Sequence, residues 1–224
     1  MTEPDFLTVT RASYDAMAVS YTEFVDGSLE RMPMDRAMLG VFAELVRASG
    51  AGPVADVGCG PGRMAAYLHE LGVTVSGIDL SPRMVAIARQ AYPHLRFTEG
   101  SMTELDLPDA CLGGVLAWYS TIHAPPEQLP GVAAEFHRVL APGGHLLLAF
   151  MSGDRSMRTV EPYDHKVAPA YRWPLDLFAD LLAGAGFEVA ARLLREPEGG
   201  ERHPQGYLLA RRPAGGGGRT GNSR

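Results

Sequence analysis

The densest set of residues able to do chemistry runs from Asp56 to Gly62, where an aspartate is followed by three glycines at alternate positions. The β-branched run before Asp56 predicts a strand, and the glycines predict a loop that opens a helix. Glycine accepts positive φ and has no Cβ, so such a loop brings backbone amides close to a ligand. We therefore expect a nucleoside-type cofactor beside Gly58, Gly60 and Gly62.

The spacing of the loop discriminates between cofactors. A dinucleotide fingerprint has a small third residue where this chain has Arg63, and a phosphate loop of the Walker type needs a Gly-Lys-Ser/Thr that is absent, since Lys166 is the only lysine. Asp79 follows Asp56 by 23 residues, at the end of the second predicted strand. A carboxylate there can accept both hydroxyls of a ribose or cap the next helix, although Ser81 already fills the cap position.

Together these residues resemble the first motifs of the class I S-adenosylmethionine-dependent methyltransferases, over roughly residues 8–212. The resemblance implies S-adenosyl-L-methionine as cofactor and S-adenosyl-L-homocysteine as product. It also implies a contact of the loop with the methionine portion, of one carboxylate with the ribose and of one side chain with the adenine. The matching residues are Gly58, Gly60 and Gly62 for the methionine portion, Asp79 for the ribose and Leu80 for the adenine.

At the adenine this chain departs from the family pattern. The family often has an acidic residue after the third strand that receives the adenine amino group, and the matching residue here is Ser101. A serine hydroxyl accepts that hydrogen bond more weakly than a carboxylate. The resemblance therefore implies that adenine selectivity rests more on packing of Met102 and on the backbone.

Two features flank the predicted methionine site. Arg63 follows the loop directly and is predicted either to pair with the cofactor carboxylate or to be a solvated arginine at the start of a helix. Tyr14 and Tyr21 are seven residues apart and so share one helical face. The resembled family often places such a helix over the cofactor, and packing against the sheet explains the same spacing.

The acceptor side is predicted to follow the fourth strand, at the carboxyl end of the sheet. Trp118 and Tyr119 can offer an aromatic face to a sulfonium, or can belong to the core. His123 has the intrinsic pKa of a general base and equally suits a solvated loop before two prolines. His165 is the second candidate base. The candidate catalytic residues are thus His123, Tyr119 and His165, and no metal site is predicted.

The elements that position these residues alternate between strand and helix. This order predicts an α/β fold with a doubly wound, mostly parallel, seven-stranded Rossmann-like sheet whose last strand is antiparallel. After the glycine loop, strands are predicted at 73–78, 95–97, 112–118, 145–150, 187–194 and 206–210, and helices at 63–71, from 82, from 129 to near 142, and at 174–185.

Around this sheet we expect a helical cap at residues 1–50, made of two amphipathic stretches. The methyltransferase domain is predicted at 51–212, with an irregular lid insertion at 152–173, and a disordered tail at 213–224. A long irregular segment of this kind usually carries function.

Composition narrows the function classes. A net charge of −6 argues against a nucleic-acid surface. The two cysteines, Cys59 and Cys111, are predicted to be buried thiols of a reducing compartment. With no leader or membrane-spanning run expected, we predict a cytoplasmic monomer or homodimer that acts on a small, aromatic or apolar molecule and binds neither nucleic acid nor membrane.

The predicted reaction is in-line methyl transfer to an oxygen, nitrogen or carbon nucleophile. The cationic residues are almost all arginine, and alanine, glycine and proline are abundant, which suggests a GC-rich genome. With the aromatic lids, this suggests secondary metabolism as the setting of the reaction. Two rival functions remain open: an NAD(P)-dependent oxidoreductase on a related sheet, which Arg63 disfavours, and a non-catalytic protein that retains a cofactor loop.

Overall fold

The computed structural model describes residues 4–214. The strands of this range are β1 (Val54–Val57), β2 (Val75–Asp79), β3 (Arg96–Glu99), β4 (Leu112–Trp118), β5 (Leu140–Met151), β6 (Glu161–Tyr163), β7 (Ala170–Arg172), β8 (Glu188–Arg195) and β9 (Gln205–Arg211). Its α-helices are α1 (Asp5–Val25), α2 (Ser28–Arg31), α3 (Pro33–Ser49), α4 (Arg63–Glu70), α5 (Pro82–Ala91), α6 (Leu129–Val139) and α7 (Leu175–Gly184).

Seven of these strands form one sheet in the order β3-β2-β1-β4-β5-β9-β8. The first five are parallel to one another, and β9 is antiparallel to both β5 and β8. The predicted fold class is confirmed, including the antiparallel pair at the end. The strand order reverses between β1 and β4, and in open α/β sheets ligands bind outside the carboxyl ends of the strands at that point.

Both faces of the sheet are covered by apolar side chains. Along β5, Leu146 and Leu148 belong to a cluster with Phe136 of α6, whereas Leu147 between them belongs to a cluster with Phe42 of α3. This alternation follows from the two-residue period of a strand and buries β5 on both sides. The resulting rigid sheet fixes the loops at its carboxyl edge.

Three segments differ from the prediction. The N-terminal cap holds three helices instead of two, because Gly27 in the left-handed region separates α1 from α2. Helix α6 ends at Val139 and not near residue 142, since Leu140 already pairs with Leu112 of β4. The insertion at 152–173 is not wholly irregular: β6 and β7 form an antiparallel hairpin within it.

The ends of that insertion lie side by side. Ser152 and Trp173 form a parallel bridge, and the Ser152 hydroxyl donates to the Trp173 carbonyl at 2.8 Å. The insertion therefore leaves and rejoins the sheet at one point, next to the end of β5.

The expectations for membrane spans, metal sites, cysteines and the C-terminal tail can be compared with the described residues. Between residues 4 and 214 no helix is long and apolar enough to cross a membrane, and no group of metal-binding side chains is found. Cys59 is buried, as predicted, whereas Cys111 is only half-buried, and both thiols are free. The predicted disorder of the tail falls mostly on residues 215–224, which lie outside the described range.

Candidate active site

The glycine loop joins β1 to α4 and is held against the end of β2. Gly58 donates its amide to the Ile78 carbonyl at 2.7 Å, and Gly60 donates to Oδ2 of Asp79 at 2.7 Å. The other oxygen of Asp79 accepts the Ser81 amide at 2.8 Å. Asp79 thus fixes the loop and the start of α5 together, and each of its oxygens keeps a lone pair for a further donor.

The three glycines have positive φ, and they meet different surroundings. A Cβ on Gly58 would lie 2.2 Å from Cβ of Ser120, and one on Gly62 would lie 2.8 Å from the Phe97 ring. A Cβ on Gly60 would meet no atom within 4 Å. Gly58 and Gly62 are therefore required by the packing of the protein itself, whereas Gly60 faces open space in the site.

Asp56 at the end of β1 is completely buried, and neither carboxylate oxygen has a hydrogen-bond partner. Burial raises the pKa of this carboxyl to about 7, the charge of Asp79 adds to the rise, and the Ala65 amide and Arg63 oppose it. Burial likewise raises the pKa of Asp79 to about 6, against its bonds to the Ser81 and Gly60 amides. Two carboxyls that titrate near neutrality stand beside the loop.

Arg63 is partly buried and is not a solvated arginine at a helix start. One terminal nitrogen donates to the Ser28 hydroxyl at 2.9 Å, and Nε has no hydrogen-bond partner. Burial lowers the pKa of the guanidinium, with the electrostatic influence of Tyr21 acting in the opposite direction. Its position between α2 and the loop thus leaves the buried Nε without a partner.

The predicted adenine contacts line a small cavity of about 80 Å³ below α1, whose wall includes Leu80, Ser101 and Met102. The Ser101 hydroxyl lies 2.8 Å from that of Thr103 and also accepts the Thr103 amide at 3.2 Å. Ser101 is thus held in place by a local turn while remaining on the cavity wall.

His123 lies in a short 3₁₀ turn after β4 and is buried, so it is not a solvated loop residue. Its Nδ1 is 2.9 Å from the Pro169 carbonyl, and its Nε2 is 2.8 Å from the Tyr14 hydroxyl. Because a carbonyl only accepts, Nδ1 carries the proton and Nε2 accepts from Tyr14. Burial lowers the pKa of His123 to about 4; the Pro169 carbonyl opposes this and His165 adds to it.

The other candidate residues on the acceptor side lie around His123 and Tyr14. The His165 ring lies 4.9 Å from that of His123, edge to face, and its Nδ1 has no partner. Trp118 and Tyr119 stand edge to face at 5.8 Å, and Tyr119 has a positive φ of 55°. Burial raises the pKa of Tyr119 well above its usual value, so the phenol is neutral at ordinary pH.

The cap is fixed by a residue that sequence reasoning missed. Asp15 of α1 accepts the Ser81 hydroxyl at 2.5 Å and the Arg83 amide at 3.3 Å, at the N-terminus of α5. Its neighbour Tyr14 reaches His123, and the Tyr14 and Tyr21 rings lie 5.4 Å apart, edge to face. The shared face of the two tyrosines was the available signal, but a partner 66 residues away cannot be read from spacing.

A larger cavity of about 770 Å³ adjoins the small one at the loop. Both cavities are lined by Gly58, Gly60, Tyr14, Tyr21, Trp118 and Tyr119. The larger one also reaches Asp56, Arg63 and His165. The structure thus brings the predicted loop, carboxylates, aromatics and second histidine to one connected space; Gly62 stays in the packing behind it.

Part of the chain is similar in sequence to known proteins. Residues 54–144 match the model of a methyltransferase domain family. Demethylmenaquinone methyltransferase of Chlorobaculum tepidum is 40% identical over 92 residues, which are 41% of this chain and 37% of that protein. The chain spans between a third and a half of the length of the first curated relatives that it matches.

Solved structures share the fold at lower identity. A Burkholderia thailandensis 1,6-didemethyltoxoflavin-N1-methyltransferase with bound S-adenosylhomocysteine superposes with a TM-score of 0.71 at 22% identity, over 95% of this chain and 92% of that one. The [4+2]-cyclase SpnF gives 0.68 at 19% identity, over 80% and 81%. Residues 54–144 are thus similar in sequence to a methyltransferase domain, and the chain has the fold of solved S-adenosylmethionine-dependent methyltransferases.

Proposed function

We propose that this protein transfers the methyl group of S-adenosyl-L-methionine to a small-molecule acceptor and releases S-adenosyl-L-homocysteine. The observation that carries the proposal is one connected space, with the Gly58–Gly60 loop and Asp79 at its narrow end and aromatic rings where it widens. Its donors and acceptors suit an amino acid joined to a nucleoside.

The polar groups left unpartnered near the loop complement the ends of that cofactor. Arg63, with its unused Nε, suits the carboxylate, and the unpartnered Asp56 carboxyl suits the ammonium group. Asp79 suits the ribose hydroxyls, while Leu80 and Met102 suit the adenine faces and Ser101 its edge.

Bound S-adenosyl-L-methionine supplies an already activated methyl group, so the protein has mainly to align the acceptor and exclude water. The rings of Tyr14, Tyr21, Trp118 and Tyr119 surround the junction of the two cavities. Aromatic faces attract a cation and exclude water, which favours sulfonium binding there. Since Tyr119 is neutral, we assign it this wall role rather than that of a base.

Proton removal, where the acceptor needs it, has two candidates. The base role of His123 operates only through Tyr14, because the tyrosine hydroxyl occupies Nε2. His165 has an unpartnered ring nitrogen and lines the larger cavity. We therefore propose His165 as the direct base and His123 as the residue that positions Tyr14.

The setting of the reaction is also proposed. Aromatic walls favour a flat acceptor. The amino-acid composition, rich in Arg, Ala, Gly and Pro as in proteins of GC-rich genomes, supports secondary metabolism. The two free thiols support a reducing compartment such as the cytoplasm. We propose a monomer or a homodimer, which sedimentation velocity distinguishes.

Two observations bear on the rival functions. The arginine at position 63 disfavours a dinucleotide, while the likeness to a [4+2]-cyclase shows that this fold alone does not decide the reaction. We therefore test the proposal by incubation with methyl-labelled S-adenosyl-L-methionine and hydroxyl, amine and aromatic-carbon acceptors, followed by mass spectrometry. A labelled product supports methyl transfer, and cofactor binding without product from any of the three classes contradicts it.

A further inference from the structure

The larger cavity extends beyond the cofactor end to a second polar surface, the distal wall, formed by Asp35, Glu201 and Gln205. Asp35 lies in the first turn of α3, and Gln205 is the first residue of β9. Because β9 is antiparallel to β5, Gln205 pairs with Met151 at the end of β5. The distal wall therefore lies along the same sheet edge as the glycine loop.

Gln205 has an unused hydrogen-bond acceptor on this wall. The residue is 1% exposed, and its Nε2 donates to the His203 carbonyl at 2.7 Å. Since a carbonyl only accepts, this bond fixes which end of the amide is oxygen. That oxygen, Oε1, has no partner. A buried acceptor without a donor destabilises the protein, and a ligand that donates to it relieves the cost.

Asp35 adds a carboxylate. It is 8% exposed, and its Oδ1 accepts the Tyr207 hydroxyl, a neutral donor. The nearby charge of Glu201 is already compensated, because both its oxygens accept from Arg195 at 2.7 Å. The Arg195 Nε also donates to the Tyr207 oxygen at 3.3 Å. The wall therefore presents the Asp35 carboxylate, whose hydrogen-bond partner is a neutral hydroxyl and on which the charge of Arg195 also acts, beside an unused amide oxygen.

The two ends of the cavity differ in their polar groups. The cofactor end holds the guanidinium of Arg63 beside the Asp56 carboxyl, and the distal wall holds the Asp35 carboxylate and the Gln205 amide oxygen. Trp118 lies between them, with its ring 5.7 Å from that of Tyr207. Strand β9 is two strands from β4, which places the wall about 10 Å from the end of β4 at ordinary strand spacing.

We propose that the distal wall binds a protonated amine of the acceptor, at Asp35 and Gln205, away from the atom that receives the methyl group. The acceptor is accordingly an aromatic molecule that carries a primary ammonium group away from its nucleophile. This inference rests on the proposed function, because it takes the cofactor to fill the opposite end of the cavity.

Calorimetry with protein saturated with S-adenosyl-L-homocysteine tests the wall without requiring turnover. The probes are tryptamine, 3-ethylindole and indole-3-propionate, which share a ring and differ in a cationic, neutral or anionic substituent. We expect tryptamine to bind at least about tenfold more tightly than the other two, as a charge paired with a desolvated carboxylate does. If the native protein binds the three probes equally, or does not bind tryptamine, the proposal is overturned.

An Asp35→Asn variant keeps an oxygen for the Tyr207 hydroxyl and removes the charge. It should lose the preference for tryptamine while binding S-adenosyl-L-homocysteine as before. Asp176→Asn, at a 90% exposed carboxylate on α7, is the matched control and should change neither. An unchanged preference in Asp35→Asn contradicts the proposal. Failure of S-adenosyl-L-homocysteine to bind the native protein instead contradicts the proposed function.

Discussion

At the scale of single residues, Gly58 is required by packing, whereas Gly60 is available for ligand binding. Both have positive φ, at 75° and 53°, so alanine is strained at either position by about 1–2 kcal/mol. Only Gly58→Ala adds a collision, because its Cβ meets Ser120. Glycine is thus needed at position 58 to avoid a steric clash and at position 60 to leave space in the site.

We expect Gly58→Ala to lower the melting temperature much more than Gly60→Ala, and Gly60→Ala to weaken binding of S-adenosyl-L-homocysteine by about tenfold or more because its methyl group enters the site. Thermal unfolding and calorimetry on both variants measure this. Equal loss of stability in the two variants would contradict the packing argument.

The raised pKa of Asp56 gives cofactor binding a pH dependence. If the ionised carboxyl binds the ammonium group, affinity for S-adenosyl-L-homocysteine rises with pH until the pKa of about 7 is passed. From pH 8 to pH 6 the affinity should fall about tenfold, and Asp56→Asn should bind weakly with a flatter profile. A profile that stays level in the native protein would refute the assignment.

The same pKa affects the cofactor-free protein in the opposite direction. An unfolded aspartate titrates near 3.9, so the folded state binds more protons between about pH 4 and pH 7. Stability supplied by this group is therefore present below pH 4 and lost as pH rises through 7. Denaturant titrations of native protein and Asp56→Asn at several pH values should show a smaller loss in the variant, to which Asp79, with its pKa of about 6, still contributes.

His123 should not titrate in the physiological range. Its pKa of about 4 predicts that kcat at saturating substrates shows no inflection near pH 6.5 from this residue. The measurement is a pH profile of kcat for the native protein and His123→Asn. An inflection near 6.5 that disappears in the variant would restore His123 as the direct base.

At the scale of elements, the docking of α1 on α5 decides whether the site is closed. Asp15 joins the two helices through the Ser81 hydroxyl and the Arg83 amide, and its neighbour Tyr14 contacts His123. The insertion reaches the same histidine from the other side through Pro169. The predicted cap and lid thus meet at one imidazole.

Asp15→Asn should loosen α1 by about 1–2 kcal/mol, since a hydrogen bond to a charged group is weakened. Amide hydrogen exchange in residues 5–25 should then be about tenfold faster, and cofactor binding weaker. Glu23→Gln, at an exposed position of the same helix, is the control and should leave both unchanged. Equal exchange rates in Asp15→Asn and native protein would contradict this role.

Local pattern determined most of these elements. The bounds of β4 were predicted to the residue, and Ser81 caps α5 as expected, with its hydroxyl accepting the Met84 amide at 3.1 Å. The early start of β5 was missed because it depends on pairing between Leu140 and Leu112, which no local periodicity encodes. The Gly27 break was missed because a single glycine does not reveal its φ.

At the scale of the whole molecule, the alternation of elements predicted the sheet and its antiparallel end, and the family resemblance carried by the glycine loop and Asp79 implied the cofactor. The shape of the site was not predictable. The contact of Tyr14 with His123 spans 109 residues, and the distal wall joins α3 to β9. Such contacts follow from packing of the complete chain, which spacing along the sequence does not specify.

Cofactor binding should also stabilise the whole fold. Saturation with S-adenosyl-L-homocysteine at about 100 times its dissociation constant adds about 2.7 kcal/mol, provided that the unfolded chain does not bind it. For a chain of this size the melting temperature should rise by about 5–10 °C. Differential scanning calorimetry with and without the ligand measures the shift; no shift at saturation would contradict binding to the folded state.

Isothermal titration of the native protein with S-adenosyl-L-homocysteine, and separately with NADH and NADPH, tests the central claim most directly. The geometry of the loop, Asp56, Arg63 and Asp79 predicts one S-adenosyl-L-homocysteine per chain, tighter binding at pH 8 than at pH 6, and no heat from either nicotinamide. Absence of S-adenosyl-L-homocysteine binding, or saturable binding of NADH or NADPH in its place, would contradict the account.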